Sequence, residues 1–487
     1  MKIHLSKSAF IRGLICHKAL FYAWFYPELA EDMTPQKQNL FDIGHEVEAV
    51  ARTLFPDGKD MSIDTTSTRQ VIQNTQIALA FGEKVLYQAS FGSSSGYCRT
   101  DILINDKKRI LYEVKSSTKC TDVQIIDVAF QYFIMKEAGY PPDEVYLMYL
   151  NNEYVRGKNL SVTKLFKTED VLQSVLNMQE DIPRGIKEMK DMLEKVIPPD
   201  KNIGLHCDKP FTCDFRKHCW KHIPSDSIFD IARLTKKKKF ELYEVGIIQL
   251  EDIPSTTKLN HNQQMQVRMA LEKSHVVDKE KIQGFVSTLD YPLYFLDFES
   301  IQPAIPRFPK TKPYQQITFQ YSLHIQSAEG DVNHLEFLAD PHKDFRLQLL
   351  RQLLKDTEGV GTIVTYNMAF EIGRMKELAV QFPKYQEEIY NRISRTKDLM
   401  VVFRDRHYYH HAMKGSYSIK NVLPVLVPEL SYKNLDIRDG ASASVTFEQL
   451  KKLDTVEAKE KREQLLEYCK LDTWAMVCIL KVLKDFI

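Results

Sequence analysis

The segment 293–300, with the sequence Leu-Tyr-Phe-Leu-Asp-Phe-Glu-Ser, constrains the fold of this 487-residue chain most strongly. A short run of large apolar and aromatic residues predicts a buried β-strand. Because residues two apart share one face of a strand, Asp297 and Glu299 point the same way while Phe298 points into the core. Two adjacent carboxylates at the edge of a core repel each other and resist desolvation, and a divalent cation such as Mg²⁺ or Mn²⁺ relieves both effects. The pattern predicts a metal-binding strand; the alternative is an exposed strand end with two solvated acids.

Further candidate ligands follow in the carboxy-terminal part of the chain. A second apolar strand leads into Asn367, which is typical of a helix start, and Glu371 projects from the first turn of that helix. Tyr468 and Asp472 are four residues apart on the last predicted helix, so both side chains face one site. Asp398, which lies between these motifs, is expected to support the site rather than to bind the metal.

This series of motifs resembles that of the DnaQ-like, or DEDD, exonucleases, in the variant whose third motif is Tyr-x₃-Asp. The first motif of that family is the Asp-x-Glu strand, and the second is an Asn-x₃-acid turn. The resemblance implies an RNase H-like fold in which Tyr468 positions the attacking water and Glu371 stands where Asp is usual. It also implies that two divalent metal ions are held by Asp297, Glu299, Glu371 and Asp472.

The amino-terminal part of the chain alternates helices and strands, which predicts a further α/β domain. Helices are predicted over residues 6–26, 36–55, 69–81 and 122–137, and strands over residues 84–91, 97–104, 109–116 and 144–150. Asp101 falls on the second of these strands, and Glu113 and Lys115 share one face of the third. Such a set can bind a metal through its two acids while Lys115 orients or activates water. The alternative is a solvated cross-strand ion pair.

The order of these residues, together with the upstream Gly44-His45 pair, resembles the PD-(D/E)XK nucleases of the RecB-like branch. That branch includes iron–sulfur exonucleases associated with CRISPR systems. The resemblance implies a restriction-endonuclease-like fold with three metal ligands and a catalytic lysine, namely His45, Asp101, Glu113 and Lys115. It also implies a glutamine on the following helix, for which Gln131 is the candidate, although Met135 stands where that motif usually has Tyr.

Three cysteines within thirteen residues, Cys207, Cys213 and Cys219, predict a metal or cluster site, because thiols that only pack in a core are scattered in sequence. Cys16 is the favoured fourth ligand. Its rivals, which are expected to be ordinary buried cysteines, are Cys98, Cys120, Cys469 and Cys478. Four thiolates suit either Zn²⁺ or an iron–sulfur cluster. A distant first cysteine followed by a late group is the arrangement of the resembled nuclease branch, which favours [4Fe–4S] over Zn²⁺.

The chain has 44% hydrophobic and 27% charged residues, which is typical of a soluble globular protein. Its formal charge of +1 excludes a global basic field, so contacts with nucleic acid must come from local patches. Two candidates are a lysine run before a helix–hairpin–helix-like unit at 242–253 and the basic, aromatic segment 404–414, although both are also typical of solvated surface. The absence of a Walker motif excludes a helicase motor, and the absence of a secretory signal or apolar span predicts a cytoplasmic location.

Three domains are therefore expected in this α/β chain. They are a PD-(D/E)XK domain with its cysteine site at 1–225, a helical connector at 226–284, and a DnaQ-like domain at 285–487. The whole chain resembles a bacterial family that fuses such domains, and the resemblance is most specific at 297–299, at 415–420 and at the cysteines. It implies a metal-dependent nuclease, with DNA as the favoured partner, two-metal catalysis and two candidate centres. The alternatives are a ribonuclease and an inactive nucleic-acid-binding or assembly module.

Overall fold

Two units make up the part of the chain that the computed structural model describes, residues 3–63 and 67–487. The first unit comprises Met1–His222 with Pro303–Gln315, and the second comprises Ile223–Gln302 with Gln316–Ile487. Both mix helices with strands, so the structure is of the α/β class that the sequence predicts. The segment 226–284, which we expected to form a separate connector, lies within the second unit.

A six-stranded mixed sheet forms the centre of the first unit. Its strands, in spatial order, are Lys59–Asp60, Val85–Tyr87, Ile102–Asn105, Arg109–Lys115, Glu144–Leu150 and Phe166–Asp170. Arg109–Lys115 pairs antiparallel with one neighbour and parallel with the other. A smaller sheet has the order Leu5–Ser6, Gly96–Arg99 and Ser90–Gly92.

Helices pack against these sheets and bury a large apolar core between them. The α-helices of the first unit are Lys7–Ile15, His17–Phe25, Pro35–Arg52, Thr68–Ala80, Asp122–Glu137, Val162–Leu165, Leu172–Asn177, Asp181–Glu194 and Arg216–Cys219. The predicted bounds of Asp122–Glu137 and of the strand Glu144–Leu150 are confirmed. Phe130 of that helix stacks on Phe10 of the first helix, with 4.8 Å between the ring centroids, in the middle of the core.

The predicted strands 84–91 and 97–104 are both wrong in the same way, because each is broken into two. The first gives Val85–Tyr87 and Ser90–Gly92, and the second gives Gly96–Arg99 and Ile102–Asn105. The breaks face each other across the pair, since the Thr100 backbone N–H donates to Ala89 O at 2.8 Å and Gln88 adopts a φ of +54°. The chain passes from one sheet to the other at this point. Asp101 therefore lies between two strands and not on one.

Two helix predictions also need correction. The helix predicted over 6–26 is interrupted at Cys16, whose extended backbone (φ −158°) separates Lys7–Ile15 from His17–Phe25. The charged segment 169–196, whose composition predicts one long helix, begins instead as the edge strand Phe166–Asp170 and continues as two separate helices. Pairing with Glu144–Leu150 outweighs helix propensity there, and a charged edge strand is a common way to end a sheet.

The second unit is built on a five-stranded sheet. In spatial order its strands are Val332–Leu338, Ile317–Gln326, Leu293–Ile301, Ile363–Thr365 and Thr396–Asp398. The first two pairs are antiparallel and the last two are parallel. Leu293–Ile301 is the middle strand, which confirms the strand predicted from its apolar run. A two-stranded ribbon pairs His275–Val277 with Tyr408–His410.

The α-helices of the second unit are Lys236–Glu244, His261–Glu272, Lys279–Val286, Arg346–Asp356, Met368–Gln381, Gln386–Ser394, Val401–Arg404, Ile419–Leu426, Gly440–Gln449 and Thr455–Asp485. The helix–hairpin–helix-like unit at 242–253 was a wrong prediction, because no second helix follows Gly246 in that segment. Instead Ile247 and Leu250 pack with Ile228 and Leu242 in a small separate core. No helix among the described residues has both the length and the apolar composition that crossing a membrane requires.

Candidate metal centres

Three carboxylates converge in the second unit. The middle strand of the sheet supplies Asp297 and Glu299, and the long Thr455–Asp485 helix supplies Asp472. One ligand oxygen from each residue lies within 4.8 Å of the other two. Among the described residues, no other set of three His, Cys, Asp or Glu side chains meets so closely. The fold thus brings together three of the four carboxy-terminal acids that the motifs indicate as ligands.

The electrostatics of this acidic centre favour a cation. Burial, with the neighbouring Asp472 and Glu299, raises the pKa of Asp297 well above its usual value. Burial and Asp472 raise the pKa of Glu299 to about 8, and burial raises the pKa of Asp472 to about 6. None of the three forms an ion pair with a cation of the described chain. The charge of Lys420 lowers the pKa of Glu299 and of Asp472 but does not outweigh burial. Acids that no described cation pairs with directly are the condition that a bound metal ion relieves.

Glu371, the fourth predicted ligand, stands close to this group but outside it. It lies in the first turn of Met368–Gln381, is only 1% exposed, and its Oε2 has no hydrogen-bond partner. Burial, with Asp398 and Glu299, raises its pKa to about 8, and Glu371 in turn raises the pKa of Asp297. An unsatisfied buried carboxylate oxygen beside three other acids is available to a further ligand.

Asp398 acts on the turn that carries Glu371. Its Oδ1 accepts hydrogen bonds from the backbone N–H of Asn367 at 3.0 Å and of Met400 at 3.1 Å. Asn367 is the residue before the helix and adopts a φ of +83°. The contact therefore fixes a left-handed helix start, which is a supporting position and agrees with the role that we expected for Asp398.

Sequence reasoning missed three side chains at the acidic centre. The Tyr432 hydroxyl donates to Asp472 Oδ1 at 2.6 Å. Lys420 Nζ lies 3.4 Å from the Tyr468 hydroxyl, and Tyr468 itself lowers the pKa of Glu299 through a hydrogen bond. Cys469, expected to be an ordinary core thiol, has its Sγ 3.8 Å from an oxygen of Asp297. The resemblance is specific at 415–420, the segment that contains Lys420, but no motif in the sequence includes Tyr432.

A second polar group surrounds Glu113 in the first unit. Glu113 is 1% exposed, and its Oε1 accepts from Lys115 Nζ at 2.6 Å and from Lys7 Nζ at 2.7 Å. Its Oε2 accepts from Gln131 Nε2 at 2.8 Å, so the predicted glutamine is present. Lys115 also contacts Asp127 at 2.6 Å. Lys7 and Asp127 belong to no motif that the sequence revealed.

The pKa values of Asp101 and Glu113 are shifted in opposite directions. Burial and the Glu113 charge raise the pKa of Asp101 to about 8, while its Oδ2 accepts from the Val114 N–H at 2.7 Å. Burial also opposes ionisation of Glu113, but Lys115 and Lys7 outweigh it and lower the pKa of Glu113. The two predicted acids therefore share one electrostatic neighbourhood.

His45 does not lie close to two other potential metal ligands in the described chain. It is exposed on the Pro35–Arg52 helix, and no set of three ligand atoms within 4.8 Å includes it in the described chain. One turn further on, Glu48 raises the pKa of Asp101 and accepts from Gln88 Nε2 at 2.6 Å. The helix therefore presents Glu48 towards Asp101, and metal binding by His45 remains a prediction.

The four cysteines indicated by the sequence interact, but at wide spacing. Burial, together with the neighbouring Cys16, Cys207 and Cys219, raises the pKa of Cys213 to about 11. The Cys213 N–H donates to Cys207 O at 2.9 Å. No three of these sulfur atoms lie within 4.8 Å of one another. Tetrahedral zinc with bonds of about 2.3 Å needs sulfur separations of about 3.8 Å, so this spacing is wider than a zinc site requires.

Comparison with known proteins adds relatives without a stated activity. A family model described as a domain of unknown function (DUF2779) matches residues 294–418, a range that includes Asp297, Glu299 and Glu371. The MG366 homolog of Mycoplasma pneumoniae is 26% identical over 54% of this chain and 43% of its own length. UU173 of Ureaplasma parvum is 23% identical over 69% of this chain and 54% of its own length. Both are named as uncharacterised proteins, and the chain spans about half the length of these curated relatives.

Proposed function

We propose that this protein is a divalent-metal-dependent nuclease, acting as an exonuclease on DNA. The observation that carries the proposal is the convergence of Asp297, Glu299 and Asp472 within 4.8 Å, without an ion pair to a described cation. Carboxylate oxygens at this spacing fit the hard cations Mg²⁺ and Mn²⁺. The unsatisfied oxygen of Glu371 gives the same region a fourth acid.

The architecture of the second unit supports the DnaQ-like form of this proposal. The strand with the Asp-x-Glu motif is the middle one of a five-stranded mixed sheet, and the helix with the Tyr-x₃-Asp motif packs against it. The second motif begins the helix that follows Ile363–Thr365, the parallel neighbour of the middle strand, so all three motifs belong to elements of one sheet or next to it. An RNase H-like domain is the finer fold that we propose for this unit.

The acids Asp297, Glu299 and Asp472, together with Glu371, would hold the metal ions. Such ions, when bound, activate water and neutralise charge on a phosphodiester. The Tyr468 hydroxyl, which forms a hydrogen bond with Glu299, would orient the attacking water. Tyr432 fixes the orientation of Asp472 by donating to it. Lys420, 3.4 Å from the Tyr468 hydroxyl, adds positive charge where the phosphate would lie.

We propose a second nuclease centre of the PD-(D/E)XK type in the first unit. Glu113 and Asp101 would hold a divalent ion, Lys115 would assist the attacking water, and Gln131 would orient Glu113 through its 2.8 Å hydrogen bond. The side-chain oxygen of Gln131 is buried without a partner, which leaves one acceptor for an incoming donor.

We further propose that the four cysteines hold a [4Fe–4S] cluster. The supporting observation is that Cys16 interrupts the first helical segment, where its thiol raises the pKa of the distant Cys213. A cluster at this position would close a loop of about two hundred residues and so stabilise the unit by restricting the unfolded chain. This role requires no redox chemistry.

The test of function is Mg²⁺- or Mn²⁺-dependent degradation of end-labelled DNA and RNA. Asp297→Asn should lower the rate of the carboxy-terminal centre by on the order of 10²–10³-fold, since it removes one of the carboxylates that would hold the metal ion at the reacting group. Glu113→Gln tests the other centre, and the double variant tests both. Asp331→Asn, which changes an exposed aspartate of the second unit, is the matched control and should retain the wild-type rate.

The substrates separate the remaining possibilities. Faster loss of label from DNA than from RNA supports the proposal, and the reverse preference identifies a ribonuclease. If neither polymer is degraded with either metal, the nuclease proposal fails and a nucleic-acid-binding module takes its place.

A further inference from the structure

A cavity of about 230 Å³ in the second unit is lined by three arginines. We call it the arginine cavity, and its main lining residues are Arg233, Arg404, Arg406, Asn260 and Tyr417. It lies outside the acidic centre, and no metal-binding carboxylate contributes to its wall. Its volume is below the ~300–1,000 Å³ of pockets that enclose a drug-sized molecule, so it suits a small charged group.

The positive charge of the arginine cavity is incompletely neutralised. Arg404 pairs with Asp405 at 2.9 Å, but neither Arg233 nor Arg406 forms an ion pair with a carboxylate in the described chain. Arg406 is only 7% exposed, and its Nη2 donates to Gly415 O at 2.9 Å. Its Nη1 is buried and has no hydrogen-bond partner. The Arg406 guanidinium also lies over the Tyr409 ring, 4.3 Å from its centroid, which offsets part of the cost of burying the charge. An anion would satisfy the remaining donor.

A helix start contributes to the same wall. The twelve-residue helix His261–Glu272 begins at the cavity, with Asn260 as its capping residue. The Asn260 side chain accepts from the Gln263 N–H at 3.0 Å. The N-terminus of a helix carries partial positive charge and favours anions, which reinforces the field of the arginines.

The segment that carries Arg233 is held rigidly by two buried glutamines. Gln266 accepts from the Ala232 N–H at 2.9 Å and donates to Asp230 O at 2.8 Å, while Gln263 donates to Ala232 O at 3.2 Å. Gln266 also packs against Gly415, where a Cβ would come within 2.5 Å of its amide nitrogen. These contacts orient the cavity before any ligand arrives, which lowers the entropy lost on binding.

The arginine cavity is connected to the acidic centre through the segment 415–420. Arg406 donates to Gly415 O, and the Tyr366 hydroxyl donates to Tyr417 O at 2.7 Å. Three residues further on, Lys420 reaches Tyr468 at the acidic centre. Three residues of chain span at most about 11 Å, so a short polynucleotide can contact Tyr417 and Lys420 together.

We propose that the arginine cavity binds a phosphate group of the nucleic-acid strand whose scissile bond lies at the acidic centre. Guanidinium groups bind phosphate oxygens in pairs. The Tyr417 ring, over which the Arg233 guanidinium lies at 5.7 Å, holds that arginine at the cavity. A free nucleotide would present the same phosphate chemistry. Assignment of the phosphate to a strand rests on the proposed nuclease function, whereas the phosphate site itself does not.

The test measures binding without cleavage. The full chain is titrated in EDTA into a fluorescein-labelled single DNA strand of about 12 nucleotides, and anisotropy reports the affinity at several salt concentrations. Arg233→Gln changes an exposed residue, and Arg406→Gln changes the buried one. The matched control is Arg351→Gln, because Arg351 donates to the Tyr385 hydroxyl at 2.8 Å much as Arg233 donates to the Tyr417 hydroxyl at 3.1 Å.

We expect Arg233→Gln to weaken strand binding about tenfold and to reduce the slope of log affinity against log salt by about 0.7, since one phosphate contact is lost. Arg351→Gln should change neither. Calorimetry with deoxyadenosine monophosphate and inorganic phosphate forms the second arm. A loss confined to these small anions supports the phosphate site with a free nucleotide as its source.

The proposal is overturned if Arg233→Gln binds the strand, the nucleotide and phosphate as tightly as wild type. The Arg406→Gln variant, if it folds, must also bind the strand, the nucleotide and phosphate as tightly as wild type for the proposal to be overturned. Because EDTA removes catalysis from the measurement, failure of the nuclease proposal leaves this result readable. Conversely, if the protein cleaves DNA but neither the strand nor the small anions depend on the two arginines for binding, the nuclease function stands and only the arginine cavity is lost as a phosphate site.

Discussion

Lys7 Nζ lies 2.7 Å from Glu113 Oε1, the same oxygen that Lys115 contacts at 2.6 Å. Ser6 caps the helix that begins at Lys7, and the short strand before it pairs with Gly96–Arg99, so the position of Lys7 is fixed by the fold. Two ammonium groups therefore neutralise one buried carboxylate. This pairing explains why the pKa of Glu113 is lowered although burial alone would raise it.

Lys7→Met should destabilise the first unit by about 1.5–3 kcal/mol at pH 7, because it removes a charged hydrogen bond from a buried acid. A lowered pKa contributes stability above the ordinary pKa of Glu113, 4.5, and that contribution declines as the pH falls below it. The difference from wild type should therefore shrink in acid. Urea unfolding at pH 7 and pH 3.5 measures it. Lys18→Met, at an exposed contact with Lys201 O, is the control; equal stability of the two variants at pH 7 would refute the role of Lys7.

Tyr432→Phe should lower the rate of the carboxy-terminal centre about tenfold while leaving the protein folded. The change removes the hydroxyl that donates to Asp472 and keeps the ring. Tyr321→Phe is the matched control, since its hydroxyl donates to Asp356 at 2.7 Å in the same unit. Initial rates on end-labelled DNA measure both. An equal loss in the two variants would show that Tyr432 acts only through stability.

The raised pKa values of the acidic centre predict how stability depends on pH. Burial and like charges raise the pKa of Glu299 to about 8, so its contribution is full below its ordinary pKa and is lost as the pH rises through 8. The metal-free protein should therefore melt at a lower temperature at pH 8.5 than at pH 6. Mg²⁺ should reverse most of this loss, because it replaces the missing proton.

Glu299→Gln should weaken that pH dependence, since glutamine cannot ionise while the other raised acids still do. It should raise the melting temperature at pH 8.5 by about 2–4 °C for each kcal/mol gained. Calorimetry with EDTA and with Mg²⁺ measures both effects. Glu388→Gln, which changes an exposed glutamate of the same unit, should keep the wild-type profile. If the melting temperature of Glu299→Gln depends on pH as that of wild type does, the pKa of Glu299 is not raised in the folded protein.

Anaerobic purification should yield a brown protein with broad visible absorption and bound iron and sulfide. Cys213→Ser should bleach it, because this thiol interacts with all three others of the set. Cys478→Ser is the control, since that residue lies on the last helix in the other unit. A colourless wild-type protein with one equivalent of zinc would contradict the cluster.

The sequence predicts much of the fold where one periodicity decides the structure. The bounds of Asp122–Glu137 and of Glu144–Leu150 follow from residues that all lie within the element. The breaks near Gln88 and at Asp101 could not be predicted from the sequence. They occur where two paired segments of the chain both leave one sheet and join another, which depends on long-range pairing. The break at Cys16 could not be predicted either, because the helical periodicity of the sequence continues on both sides of this residue.

The same limit applies to the candidate sites. Asp297 and Glu299 can be identified from the sequence because the whole signal, an apolar strand that contains two acids, lies within a few consecutive residues. Lys7 and Tyr432 come from segments far from the acids that they contact, and neither lies in a spaced motif. Long-range contacts of single side chains carry no local signal, so only the folded structure reveals them.

Mn²⁺ binding tests the central claim most directly, because the proposed chemistry depends on acids that hold a hard cation. Electron paramagnetic resonance of Mn²⁺ added to the metal-free Glu113→Gln protein at pH 8 reports bound metal at the carboxy-terminal centre alone. We expect Asp297→Asn in this background to lose the tightest Mn²⁺ ion and Asp331→Asn to retain it. Equal Mn²⁺ binding before and after Asp297→Asn would contradict the account.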